Sequence, residues 1–406
     1  MPNASSSLEQ ISYIKEVTFG VTPNTGNGRN LRFTGETLDL QITKEQSKEI
    51  NSTRTISSMI PVDAMTSGGI QAEISYLEYD DFLESVLQST YAVFGTTGVS
   101  AAASTVTFAA TTLTASVATA GIDSWATLQR GQWFKVNAGA DLNNGKILRV
   151  SPTVSPTTTI ITLDASTPAT ASATVAGVTL ATSRLTHGTT QTSFTIQRSN
   201  PDVNQFMGFT GQTPSKMDIS IQTGGLSSIS FDFMGKTAVS TGATQLPGAT
   251  GASKTYDIHS GVSGSVCQLW EGGAPITGTF VKTLSLSYDN ALRNQTALCT
   301  LGPIGIGAGT IVISGNMQVY FADATLFAKF KANTNSSLVF SSVDGLGNGY
   351  IFTIPVANIG SWKTNASAKD QDLMVDIAFT GLRDAANAIP ALQKAIFVDR
   401  VGGLAV

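Results

Sequence analysis

Apolar and polar side chains alternate at every second residue along most of this 406-residue chain. A β-strand turns successive side chains to opposite faces, so this period predicts strands with one buried and one exposed face. The chain is therefore predicted to be mainly β. The clearest stretches are 38–42, 70–76, 217–221, 229–233, 284–288 and 373–379.

Two short segments have a helical spacing of apolar residues instead. An aspartate stands near the start of each segment, and Asp80 and Asp323 are the predicted N-caps, whose side-chain oxygens accept a hydrogen bond from a free backbone N–H. The two segments are 79–90, with Phe82, Leu83, Val86 and Leu87 on one face, and 323–332, with Leu326, Phe327 and Phe330 on one face.

The order of these elements repeats along the chain. Ser-Gly introduces the strand before each helix, and six elements recur in one order, in a first copy over 38–235 and a second copy over 284–381. In this alignment the strand at 38 matches the strand at 284. The pattern predicts a duplication, although alternation alone would also let two unrelated β-rich stretches be aligned.

The first copy is longer because it contains an extra segment over 96–187. This segment is poor in charge and rich in Thr and Ala, and aromatic and β-branched residues flank a hairpin turn at 143–145. It is predicted to be an inserted β decoration domain whose core includes Trp125, Trp133, Phe134, Val136, Ile147, Leu148 and Val150. The whole predicted plan is an N-terminal arm (1–37), a first module (38–95 and 188–235), the insert (96–187), a linker of extended loops (236–283), a second module (284–381) and a C-terminal arm (382–406).

Charge and reactive side chains argue against an enzyme. Lys and Arg number 24 and Asp and Glu 28, which gives a net charge of −4 and does not suit a basic nucleic-acid binder. Two histidines, His187 and His259, are too few for a metal site, and no nucleophile motif or phosphate-binding loop is found. We expect no catalytic residue, no metal and no cofactor, and we expect Cys267 and Cys299 to be reduced, buried thiols.

The first residues lack a basic region followed by an apolar core, so no secretory signal peptide is predicted. The uncharged stretch between Glu84 and Asp123 is long enough to cross a membrane. Its frequent Thr and Ser favour strands over a membrane span. The chain is therefore expected to remain where it is made.

In both copies of the repeat the chain resembles the tail tube proteins, or major tail proteins, of long-tailed bacteriophages. The residues that carry the resemblance are SGGIQAEISYLEYDDFLESVLQS, SFTIQRSNPDVNQFMGFTGQTPSKMDISIQTGGLSSISFDFMGK, GTIVISGNMQVYFADATLFAKFKANTNSSLVFSSVDGLGNGYIFTIP and the opening YIKEVTFGVTPNTG. The resemblance implies two tandem β-sandwich modules, each with one short α-helix, that join side by side into rings. The rings would stack into a tube through which double-stranded DNA passes.

The same resemblance implies a place in the virion tail, with assembly in the cytoplasm of the bacterial host. It also implies contacts with the tape measure protein and with tail terminator and distal tail proteins. Because one chain carries two modules, three chains are expected to close a ring with pseudo-sixfold symmetry, and a hexamer is the second choice.

Four polar residues are predicted to face the lumen because they lie opposite the apolar face of their strands: Gln71, Glu73, Ser75 and Gln318. An ordinary solvent-facing sheet would have the same pattern. The alternative function is a secreted or surface β-rich adhesin or glycan-binding protein, against which the missing signal peptide argues.

Overall fold

The computed structural model describes residues 3–94, 105–116, 125–262, 270–276, 280–321, 325–365, 369 and 372–402. Within these ranges the protein is mainly β, as predicted, with two α-helices, α1 (Asp80–Val86) and α2 (Thr325–Lys331), and short 3-10 turns at Ser6–Leu8, Trp125–Thr127 and Pro390–Leu392. The strands are β1 (Gln10–Lys15), β2 (Arg29–Leu31), β3 (Gly35–Glu36), β4 (Asp39–Gln46), β5 (Met59–Glu73), β6 (Ala92–Val93), β7 (Val106–Ala109), β8 (Thr112–Ala115), β9 (Trp133–Asn137), β10 (Ile147–Arg149), β11 (Ile160–Thr162), β12 (Ser172–Val175), β13 (Thr179–Ala181), β14 (Ser183–Thr186), β15 (Phe194–Asn200), β16 (Gln205–Gln222), β17 (Ser228–Gly235), β18 (Thr237–Thr241), β19 (Trp270–Glu271), β20 (Ala274–Pro275), β21 (Val281–Asp289), β22 (Arg293–Gln295), β23 (Gly305–Gly307), β24 (Val312–Tyr320), β25 (Ser336–Val343), β26 (Gly349–Asn365), β27 (Met374–Leu382) and β28 (Phe397–Val401).

A single antiparallel sheet, called the main sheet here, runs through both copies of the repeat. Its strands pair in the order β4, β5, β17, β16, β21, β24, β27, β26. The first four strands come from the first copy and the last four from the second. The pairing of β16 with β21 joins the two modules, and it is called the internal seam below.

The two halves of the main sheet have the same topology and the same irregularities. β16 pairs with β15 and then with β17, and β26 pairs with β25 and then with β27. The register shifts by one residue at Ser215 against β17 and at Gly360 against β27, which are equivalent positions. Chance alternation does not reproduce a bulge at the same place, so the predicted tandem modules are confirmed.

The structure changes the alignment of the first strand of each repeat. Asp39, which follows Leu38, pairs with Ser67 of β5. In the same way Ser287, which follows Leu286, pairs with Ser314 of β24. Since the two Ser-Gly positions are equivalent, Leu38 corresponds to Leu286. The sequence alignment of 38 with 284 was therefore wrong by two residues, which leaves every side chain on the same face.

The apolar face of the main sheet packs into one core that extends through both modules. Helix α1 lies in that core, with Phe82, Leu83, Val86 and Leu87 all at most 1% exposed. Helix α2 is covered less well, since Leu326 is 7% exposed but Phe327 is 41% exposed. The predicted apolar faces therefore exist on both helices, but only the first is fully buried within one chain.

Both predicted arms contain strands of the folded body. Residues 10–15 pair with β15 and β2, and Ile11 and Tyr13 are buried in the core. Near the other end, β28 pairs with β26 and β14. Strand β28 lies beside β26 as β18 lies beside β16, so β28 is a further repeated element. The prediction of a C-terminal arm missed this strand.

The insert has two small sheets, β10-β9-β13 and β11-β8-β7-β12. Most of the predicted core residues pack between them, but Trp133 and Ile147 face the other way. Trp133 meets Trp270 edge to face, with ring centroids 5.1 Å apart, in a cluster with Val339 and Ile351 of the second module. The insert is therefore anchored to the body by an apolar contact.

A buried ion pair lies beside this apolar contact. Arg184 of β14 donates from Nε and Nη2 to the two carboxylate oxygens of Asp399 on β28, each at 2.6 Å. The side chains are 2% and 0% exposed. The backbone N–H of Trp133 in the insert donates to the same carboxylate at 3.1 Å. One pair of charges thus links the insert, β14 and β28.

The two histidines are predicted to make folding sensitive to acid. His259 is fully buried with Nδ1 2.9 Å from Ser342 Oγ, and burial lowers its pKa to about 4. Burial, together with Lys394 and Arg383, also lowers the pKa of His187 to about 4. Between pH 6.5 and 4 the two imidazoles are protonated in the unfolded chain but not in the folded one. The free energy of unfolding therefore has its full value above pH 6.5 and falls as the pH drops through that window.

We expect the free energy of unfolding of His259→Gln to fall less steeply as the pH drops through that window, by about 1 kcal/mol per pH unit. Urea unfolding of both proteins between pH 7 and pH 4 measures the difference. A difference in unfolding free energy that stays constant across the window would contradict the prediction.

One thiol also differs from expectation. Cys299 is exposed and adopts a φ of 64°, which corrects the prediction that both cysteines are buried. Cys267 lies outside the described residues.

Candidate functional site

The main sheet presents a polar face opposite its core. Apolar and polar residues alternate on each strand, so every second side chain reaches this face. It is lined by hydroxyl, amide and charged groups around a shallow depression of about 460 Å³. The lining side chains that cross both modules include Gln71, Lys216, Asp218, Ser230, Ser287 and Asn316.

Carboxylates outnumber amines on this face. Lys216 Nζ lies 2.7 Å from Asp218 Oδ2. Partial burial raises the pKa of the neighbouring Asp232 carboxyl, and the charge of Asp218 raises it further. Strand β27 adds Asp376, which accepts a hydrogen bond from Gln318 Nε2 at 2.9 Å. The face is thus polar and mildly acidic, and its principal amine on β16 is paired with a carboxylate.

Three of the four residues predicted for the lumen lie on this polar face. Gln71 is exposed and opposite Ser230, while Glu73 and Gln318 are half-buried. Gln71 and Gln318 occupy equivalent positions in the two modules, since their partners on β17 and β27 are equivalent.

Ser75 was predicted wrongly. It is completely buried because the segment around Ile258 forms a β-bridge with it and covers the end of β5. Alternation along β5 does not reveal a segment that crosses from almost two hundred residues away.

Asp80 is not an N-cap. It is the first residue of α1, and Tyr79 takes the cap position without a side-chain hydrogen bond. The Asp80 carboxylate instead accepts a 2.5 Å hydrogen bond from Tyr350 Oη and forms an ion pair with Arg400. It therefore ties the helix of the first module to β26 and β28. Asp323, the other predicted cap, lies outside the described residues.

The main sheet ends in two edges that pair with no other strand in the described part of the chain. Residues 37–41 pair with β5 alone, and residues 361–365 of β26 pair with β27 alone. Exposed apolar side chains flank both edges: Ile42 is 46% exposed beside the first, and Phe321 and Phe327 are 44% and 41% exposed beside the second. Such edges and patches are typical of surfaces that associate.

Side chains occupy part of the first edge. Leu38 N–H donates to Glu36 Oε2 at 3.0 Å, and Leu40 N–H donates to Asp39 Oδ1 at 2.8 Å. Arg198 donates to the Leu38 carbonyl. These groups protect the edge in the isolated chain.

Across the described ranges, no group of three or more His, Cys, Asp or Glu side chains is placed to hold a metal ion. No helix in the same ranges is long and apolar enough to cross a membrane.

A family model described as "Phage tail tube protein" matches residues 6–381, which include both modules and the insert. No curated protein matches the chain. The chain belongs to the phage tail tube protein family.

Proposed function

We propose that three copies of this structural protein close into a ring, that rings stack into a tail tube, and that DNA passes through the bore. The observation that carries this proposal is the main sheet, which joins two equivalent modules and leaves one open edge at each end. A head-to-tail contact between those edges pairs the free backbone groups of both. A closed ring forms when the rotation from one chain to the next is a whole fraction of a full turn.

The size of the bore favours three chains over six. Each chain supplies eight strands of the main sheet, so three chains give about 24 strands, and strands lie about 4.8 Å apart. The circumference is then about 115 Å and the diameter about 37 Å before strand tilt widens it. That bore leaves room for a DNA duplex, whereas six chains would double the width.

The polar face of the main sheet suits a bore that releases DNA. Each Lys or Arg that contacts a phosphate displaces counterions and stabilises a bound state. A surface on which Asp and Glu outnumber Lys has no such hold on the duplex. Gln71, Glu73 and Gln318 are the residues that we place along the DNA path.

We assign contacts between stacked rings to the long hairpin of β4 and β5. The hairpin extends beyond the main sheet, and its apolar side chains are exposed: Ile50 is 99%, Ile56 61% and Ile60 60% exposed. Burying them against a neighbouring ring removes apolar surface from water. Contacts with tape measure, tail terminator and distal tail proteins, and assembly in the host cytoplasm, are proposed from the family alone.

Electron microscopy of the purified protein tests the assembly, with native mass spectrometry of the rings. We expect hollow tubes built from rings of three chains. Rings of six chains would contradict the trimer. A monomer that persists at high concentration would contradict tube formation and favour the adhesin alternative.

Adding positive charge to the polar face tests whether DNA passes along it. We expect tubes of the double variant Gln71→Arg/Glu73→Arg to retain duplex DNA about tenfold or more tightly than unmodified tubes at low salt, with the difference falling as salt rises. Filter binding with assembled tubes measures this. The control is Leu142→Arg/Val154→Arg, which adds two positive charges at exposed positions of the insert, and equal retention by all tubes would contradict a DNA-facing position.

A further inference from the structure

The internal seam provides a template for the contact between chains. In it, β16 and β21 pair antiparallel from Lys216 opposite Asp289 to Gln222 opposite Thr283. The side chains on its apolar side are buried: Met217 and Tyr288 are each 0% exposed, and Leu286 is 1% exposed. The seam is thus a continuous part of the sheet and of its core.

Each strand of the internal seam has a counterpart at an open edge. The shared bulges make Lys216 equivalent to Ser361, and Ser220 equivalent to Asn365. The shared Ser-Gly positions make Ser287 equivalent to Asp39. The strand segment 361–365 therefore corresponds to the β16 side of the seam, and 37–41 corresponds to the β21 side.

We propose that residues 361–365 of one chain pair antiparallel with residues 37–41 of the next chain, with Lys363 directly opposite Asp39. This inference rests on the proposed ring and adds the residues and register of its joints. The transferred pairs are Ser361 with Gln41, Trp362 with Leu40, Lys363 with Asp39, Thr364 with Leu38, and Asn365 with Thr37.

The charges support this register independently of the repeat. Lys363 and Asp39 are exposed on the polar faces of the two edges, and the proposed register makes them a directly opposed pair of unlike charge. A shift of two residues would put Lys363 opposite Gln41 or Thr37. A shift of one residue would turn the apolar side chains to the polar face.

The apolar side of the proposed joint is also complementary. Trp362 is half-buried and contacts the rings of Phe321 and Phe327, with centroids 6.4 and 5.5 Å away. Leu40, which is half-buried, would lie opposite Trp362 as Tyr288 lies opposite Met217 in the internal seam. Pairing would cover an apolar cluster that one chain alone leaves partly exposed.

The side chains that occupy the first edge must move when the joint forms. The backbone N–H groups of Leu38 and Leu40 would exchange their carboxylate partners, Glu36 and Asp39, for carbonyls of the neighbouring chain. Lys363 then takes over the Asp39 carboxylate. Protected edges of this kind reduce unspecific pairing before the correct partner arrives.

Disulfide trapping tests the register. In a Cys267→Ser/Cys299→Ser background, the pair Asp39→Cys/Lys363→Cys places two thiols on directly opposed residues, whose Cα separation of about 4.5–5.5 Å suits a disulfide. We expect oxidised rings to give a covalent trimer on a non-reducing gel. The matched control, Gln41→Cys/Lys363→Cys, is displaced by two residues and is expected to form less than about a tenth of that product.

Exchange of the two charges gives a second readout if the cysteine variants do not assemble. Asp39→Lys or Lys363→Asp alone puts like charges opposite each other, and we expect the protein concentration needed for tubes to rise about tenfold. Asp39→Lys/Lys363→Asp together should restore assembly in part, because the new carboxylate at position 363 also lies opposite Asp376 of β27.

The outcomes separate the two proposals. Tubes that form while the control pair crosslinks better, or while the charge exchange fails to restore assembly, would overturn the register and leave the ring intact. Unmodified protein that forms no rings would overturn the proposed function itself.

Discussion

Replacing Arg184 with methionine is expected to lower the free energy of unfolding by about 3–5 kcal/mol. Arg184 is 2% exposed and its partner Asp399 is 0% exposed, so the variant leaves a carboxylate buried with its main counter-charge removed. The loss should be large because Asp399 also holds the N–H of Trp133, which anchors the insert. Urea unfolding at pH 7 measures the change.

Two further variants show whether the loss comes from the buried charge. Arg184→Met/Asp399→Leu removes both charges and should regain most of the stability. Lys216→Met disrupts an ion pair whose side chains are 37% and 40% exposed, and it should cost less than about 1 kcal/mol. If the double variant is no more stable than Arg184→Met, the explanation by an unpaired charge is wrong.

Replacing Phe82 with alanine is expected to cost about 3–5 kcal/mol, because a large side chain leaves a cavity in a packed core. Phe82 is 1% exposed and its ring meets those of Tyr13, Phe194, Phe231 and Phe233 at centroid distances of 4.8–5.5 Å. These rings come from three strands, β1, β15 and β17, so few of them can move to fill the space. The midpoint of urea unfolding measures the effect.

The second helix offers a matched control. Phe327 is 41% exposed, so Phe327→Ala should cost less than about 1 kcal/mol in the isolated chain. Phe327 contacts Trp362 beside an open edge, so the same variant should also impair tube formation. Relative to the stability that each variant loses, this impairment should be greater for Phe327→Ala than for Phe82→Ala. Equal losses of chain stability in both variants would contradict the difference in burial.

Local patterns along the chain were enough to predict most strands of the main sheet, both helices and the repeat, but not β1 and β28 at the two ends. Alternation separates the two faces of a strand, and it correctly placed Gln71 and Gln318 on the polar face at equivalent positions. Order and spacing of elements revealed the duplication, which the shared bulges confirm. The lumen itself stays a prediction, since an exposed polar face is common to a bore and to an ordinary surface.

Contacts between distant segments were beyond the reach of those patterns. Ser75 has the spacing of an exposed residue but lies under the segment at Ile258. Asp80 stands where a cap is usual, yet its partners Tyr350 and Arg400 follow 270 and 320 residues later. Likewise the alternation at Trp133 indicates an inward side chain without telling which of two adjoining cores it enters.

In the proposed ring, the fusion of two modules in one polypeptide makes the joints mechanically unequal. Within each chain the internal seam is backed by covalent chain, by the contact of Asp80 with Tyr350 and by a common core. Between chains only non-covalent forces act. In the proposed ring of three chains, outward pressure should therefore open the three joints between chains before it opens the internal seams, and the wall should come apart as single chains that each keep both modules.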